Sequence, residues 1–136
     1  MADLPAALFN LERACAEFES YLALPVTNQR DTAGLIQGFE FTFERFWKTF
    51  QKLAPDAGLD ASSPRQALMA GASLHLTAPE KAPHWSRMLR DRNLTSHTYS
   101  ASVADEIIDR VSRDYVACFR ASLTGLRSLF RRSSLA

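Results

Sequence analysis

Between Asn28 and Leu53 the chain carries Ile36, Phe39, Phe43, Phe46, Phe50 and Leu53 at spacings of three and four. This period constrains the fold more than any other feature. Apolar residues three and four apart share one face of an α-helix, whereas strand side chains alternate with a period of two. Trp47 widens the stripe, and Glu40, Glu44 and Lys48 form a second row at intervals of four. Such a row gives modest ion-pair support to a helix. The aromatic stripe reads first as core, with a ligand pocket as the alternative, and its heptad-like seam also suits packing against a second subunit.

The same period recurs on both sides. Leu4, Leu8, Leu11, Cys15, Phe18 and Leu22 predict a first helix over residues 4–23. Asp3 would cap it, Pro5 suits its first position and Pro25 ends it. Ser62 or Ser63 caps a third, alanine-rich helix that opens on Pro64 and runs to about Leu76. A fourth spans about Pro83 to Asn93 and buries Trp85, Met88 and Leu89. Ser102 with Asp105 resembles a capping box. It opens a last long helix through Ile108, Val111, Tyr115, Phe119, Leu123, Leu126 and Phe130. Glycine is scarce, the prolines fall between the periodic segments, and nothing alternates with period two. The expectation is one all-α domain over residues 1–136, an up-down antiparallel bundle of about five helices. Residues 131–136 are expected as a frayed tail.

Several function classes fall away on composition and motif. No apolar run reaches the length of about 18 residues that a membrane span needs. The start lacks a basic segment followed by an apolar one, so a cytoplasmic protein without membrane contact is expected. Cys15 and Cys118 sit at helical positions and read as small buried side chains. Asn93-Leu94-Thr95 fits a glycosylation acceptor, but only a secretory signal would give that pattern meaning. Asp-x-Asp, which holds the metals of a nucleotidyltransferase, does not occur, so the chain is not itself that enzyme. Paired Glu-x-x-His motifs and Gly-rich phosphate loops are also missing, while His75, Glu80 and His84 flank prolines without ligand spacing. No metal and no cofactor are expected.

Against this background one stretch stands out: Arg92 to Tyr99, RNLTSHTY. Arg offers a permanent planar cation that clamps phosphate, and His titrates near neutral pH. Together they can cleave RNA without metal, His97 moving a proton at the 2′-hydroxyl or leaving oxygen and Arg92 stabilising the charge on phosphorus. On one continuous helix Tyr99 would lie near Arg92, but His97 would point about 140° away. Convergence in one chain therefore predicts a helix break between Arg92 and His97, and Asn93, Thr95 and Ser96 are residues that favour one. One histidine is also too few for acid-base cleavage, so a two-fold homodimer would complete the site. The charge distribution agrees with a phosphate-facing second half. Residues 1–64 hold nine acids and five bases, residues 65–136 six acids and eleven bases. With 3 histidines and 16 Lys and Arg residues in the chain, an isolated Arg-x4-His pair arises by chance at roughly 0.3 per chain, so its neighbours must carry the assignment.

Those neighbours resemble the family of nucleotidyltransferase substrate-binding proteins, a helical, HepT-like group within the HEPN superfamily. The resemblance rests on RDTAGLIQGFEFTFERFWK (30–48), SPRQALMAGASL (63–74) and, most specifically, WSRMLRDRNLTSHTY (85–99). It implies a dimeric helical bundle that pairs with a small separate nucleotidyltransferase. Related members act as ribonuclease toxins through the motif's Arg and His, here Arg92 and His97, with Asn93 as the polar follower. In such toxin–antitoxin pairs the partner acts as antitoxin, in some cases by attaching AMP to a tyrosine, here matched by Tyr99. The implied substrate-binding set is thus Arg92, Asn93, His97 and Tyr99, facing a nucleotide or RNA. The chain departs from the family pattern at HLTAPEKAPHW (75–85), which is longer and richer in proline.

Overall fold

The computed structural model describes residues 4–97 and 100–135. Among these, six helices follow in order: α1 (Leu4–Leu22), α2 (Gln29–Leu53), α3 (Pro64–Ser73), α4 (Ala82–His97), α5 (Ala101–Arg110) and α6 (Val116–Leu135). A π-helical turn, Val111–Tyr115, joins α5 to α6 without interrupting the rod. Counted as one, α5, the π turn and α6 give the five-helix bundle that the periodicity predicts, with no strand among the described residues.

Local chemistry sets most helix starts. Asn28 takes an extended backbone and its side chain accepts from the Asp31 N–H, while Asp31 accepts in turn from the backbone and hydroxyl of Thr27. This reciprocal arrangement satisfies donors that a helix N-terminus leaves open. Ser63 does the same for Gln66, and Pro64 occupies the first turn of α3. The proposed cap Asp3 lies outside the described residues. The capping box at Ser102 is not formed. Ser100 caps α5 instead, accepting from the Val103 N–H at 3.3 Å, which leaves Ser102 inside the first turn with nothing to cap. The fourth helix also runs four residues further than Asn93, to His97. At the other end of the chain α6 continues through the Arg/Ser-rich segment to Leu135.

The aromatic stripe of α2 is the core. Phe39, Phe43, Phe46 and Phe50 are completely buried, together with Tyr115, Ile107, Met88 and Leu126. Phe46 stacks on Phe119 of α6 with ring centroids 4.8 Å apart and planes 9° from parallel. Trp85 of α4 meets Phe46, Phe50 and Phe119 edge-on at 5.6–5.8 Å, the geometry that the ring quadrupoles favour. Gly71 lets α3 seat against this cluster, since a Cβ there would lie 2.7 Å from the Phe50 ring. Burial of this apolar surface, rather than helix propensity, holds the bundle together.

Candidate functional site

The polar segment begins on α4, where two adjacent residues face opposite neighbours. Successive helical residues are about 100° apart. Asp91 therefore turns toward the α5–α6 rod, while Arg92 turns toward α2. Arg92 Nη1 lies 3.3 Å from the Glu40 carboxylate, with the two side chains 33% and 27% exposed. Glu40 comes from the Ile-Gln-x-Phe-Glu stretch of α2, so two of the segments singled out by sequence meet in one ion pair. The row expected along α2 is only half formed: Lys48 pairs with Glu44 at 2.7 Å, and Glu40 reaches across to α4 instead. Thr95 donates its hydroxyl to the Arg92 carbonyl at 2.9 Å. Asn93 and Leu94 face solvent.

The predicted break between Arg92 and His97 is absent. Thr95 accommodates its hydroxyl within the helix through that bond to the preceding turn, and α4 continues unbroken to His97. Five residues of regular α-helix separate the two positions by about 140° around the axis and about 7.5 Å along it. One continuous α4 thus brings Arg92 to Glu40 and sets position 97 on another face. Tyr99 lies outside the described residues.

Asp91 organises a buried network that sequence reading missed. It is 2% exposed, and its carboxylate accepts from Arg110 Nε at 3.0 Å, Arg110 Nη2 at 2.7 Å and the Tyr115 hydroxyl at 2.5 Å. A buried carboxylate is tolerable only when charge-paired and hydrogen-bonded, and the forked guanidinium plus a phenol meets both needs. Arg110 and Tyr115 are also five residues apart, so a regular α-helix would point them about 140° from each other. The π turn solves this problem. Its i→i+5 hydrogen bonds bring residues five apart nearly into line, so both side chains reach Asp91. The signal that could have found the network was a charged Asp-Arg pair falling on the apolar stripes of two helices.

Burial first, and then the Asp91 carboxylate, push the Tyr115 hydroxyl pKa well above its ordinary value. A raised folded-state pKa means that the group's contribution is intact below the unfolded value of about 10 and fades as pH rises beyond it. Tyr115→Phe is expected to cost about 1–3 kcal/mol at neutral pH, because Asp91 loses a donor. It should also flatten the loss of stability above about pH 10. Urea unfolding of both proteins between pH 7 and 11 checks this, and equal alkaline slopes would refute it.

A cleft of 580 Å³ lies where α5 begins, lined by Val26 to Gln29 and Thr32 from the start of α2 and by Ser100, Ala101 and Asp105. Two helix N-termini open on it, which favours negatively charged ligand groups, while Asp105 opposes them. Among the described residues no three His, Cys, Asp or Glu side chains gather as a metal ion would require, and no helix is long and apolar enough to cross a membrane.

Comparison with known proteins adds the family. A crystal structure of a Thermus thermophilus protein superposes with a TM-score of 0.75 at 33% sequence identity, covering 86% of this chain and 98% of that one. No curated protein matches. The model of the family described as "nucleotidyltransferase substrate binding protein like" matches residues 3–128. Helical architecture, solved relative and family match agree, and the chain belongs to the nucleotidyltransferase substrate binding protein like family.

Proposed function

We propose that this protein is the helical substrate-binding subunit of a two-component nucleotidyltransferase system of toxin–antitoxin type, a HepT-like member of the HEPN superfamily. It acts as a homodimer and pairs with a small cognate nucleotidyltransferase. Arg92, Asn93, His97 and Tyr99 face the nucleotide or RNA, and Tyr99 is the residue that the partner modifies, its phenol oxygen displacing pyrophosphate from ATP to receive AMP.

The observation that carries this reading is the Arg92–Glu40 pair within a family whose name describes substrate binding. A partly exposed guanidinium held by a carboxylate on the neighbouring helix is preorganised for a phosphate, which would compete for the same donors. The 140° between positions 92 and 97 supports the dimer. Groups on different faces of one helix reach a common phosphate when one copy supplies the arginine and its two-fold mate the histidine.

Mixed with its partner and ATP, the protein is expected to co-elute with the nucleotidyltransferase and gain AMP at Tyr99, seen by mass spectrometry and lost in Tyr99→Phe. Arg92→Ala should weaken nucleotide binding about tenfold or more, the loss of one charge-assisted hydrogen-bonding group. A solitary monomer that neither binds the partner nor accepts AMP would defeat the proposal. The alternative is a metal-independent ribonuclease restrained by that partner. It predicts RNA cleavage in chelator by the free protein, falling about 10²-fold or more in both Arg92→Ala and His97→Ala.

A further inference from the structure

The proline-rich segment 75–85, where the chain departs from its family pattern, forms one wall of a small crevice far along the chain from Arg92. His75 takes a left-handed backbone, φ +61, rare for a residue with a side chain. Such strain persists only where surrounding structure enforces it. Here α6 enforces it: Gly125 passes so close that a Cβ would sit 3.3 Å from the His75 carbonyl oxygen and 3.4 Å from Leu76 Cα.

Between this segment and α6 lies a space of 160 Å³, lined among others by Thr77, Lys81, Trp85, Cys118 and Ser122. Ser122 is 1% exposed, and its hydroxyl has no hydrogen-bond partner among the described residues. Buried hydroxyls are almost always satisfied, so one that lines a crevice without a partner marks a place for an acceptor to enter. Thr77 is buried beside it and brings a second hydroxyl. Among the described residues of the lining, Lys81 alone carries a permanent charge. Burial keeps the Cys118 thiol protonated, so it adds no negative charge. The nearest acids stand outside the lining: Glu80 is exposed on the loop, and Asp114 lies one turn before Cys118.

We propose that this crevice binds a small oxyanion, a phosphate or a carboxylate, with the Lys81 ammonium supplying charge and the Ser122 and Thr77 hydroxyls donating to its oxygens. The site is independent of Arg92 to Tyr99 and stands or falls separately from the role proposed for that segment.

The test is thermal unfolding of the full chain in inorganic phosphate, in acetate and in chloride at one ionic strength. Wild type should unfold at least about 3 °C higher in phosphate or acetate than in chloride. Response to both anions indicates a carboxylate-sized site, response to phosphate alone a phosphoryl site. Ser122→Ala should fold at least as stably as wild type in chloride and lose most of the anion response; Lys81→Met should lose it as well. Backbone amide shifts on titration should concentrate at residues 75–81 and 118–122. Wild type showing no anion preference, or both variants responding as fully as wild type, would overturn the site.

Discussion

Asp91→Ala is expected to destabilise the protein by about 3–5 kcal/mol, because it strands the guanidinium of Arg110 without a partner in the interior. That side chain is only 12% exposed and its donors are fixed on the lost carboxylate. The cost comes from the orphaned charge rather than from the pair's intrinsic worth. Removing both ends should therefore be far milder: Asp91→Leu combined with Arg110→Met should recover most of the loss. Urea denaturation of the two single variants and the double variant measures the coupling. A single variant within about 1 kcal/mol of wild type would mean that water reaches Arg110 and that the network is peripheral.

Phe46→Ala should cost about 3–5 kcal/mol, the range for emptying a large aromatic site in a packed core. Phe46 is fully buried and touches Phe50, Trp85 and Phe119, so no one neighbour can collapse into the void. Phe41 provides the internal control. It lies on the same helix but is 51% exposed, with the Arg45 guanidinium 4.6 Å above its ring. Phe41→Ala should stay within about 1 kcal/mol, the scale of an exposed cation–π contact. Comparable losses in the two variants would show that α2 presents its Phe41 face to a partner or to another copy.

The contrast between these phenylalanines shows what was legible in the sequence. Spacing by three and four separates Phe39, Phe43, Phe46 and Phe50 from Phe41 before any coordinates are seen, and Asn28, Ser63 and Pro64 mark helix starts by chemistry that acts within one turn. What was not legible depends on which helix lies next door. Glu40 fits an intrahelical row, and only the arrival of α4 diverts it to Arg92. Thr95 and Ser96 belong to residue types that break helices in isolation, yet Thr95 bonds its hydroxyl back into the turn and the helix persists. Ser102 with Asp105 fits the capping pattern, but Ser100, two residues earlier, already answers the same N–H groups. The candidate site itself was only partly legible. Arg92 and Asn93 are recognisable by type, whereas Glu40, Asp91, Arg110 and Tyr115 acquire meaning through contacts 19–24 residues apart or across helices.

One trace of the π turn was present all along. Val111, Tyr115, Phe119 and Leu123 follow each other at four, four and four, a run that outpaces 3.6 residues per turn and drifts steadily around a regular helix. The wide turn absorbs the drift, acting as a one-residue phase inserter between two stretches of α-helix that each face the same core. Indel tolerance in this rod is therefore uneven. Losing one residue within Val111–Tyr115 would restore a uniform α-helix and rotate everything beyond it by about 100°. Phe119, Leu123 and Leu126 would turn out of the interior, and Tyr115 would leave Asp91. The reading frame of the hydrophobic core, as much as any side chain in it, is written in those five residues.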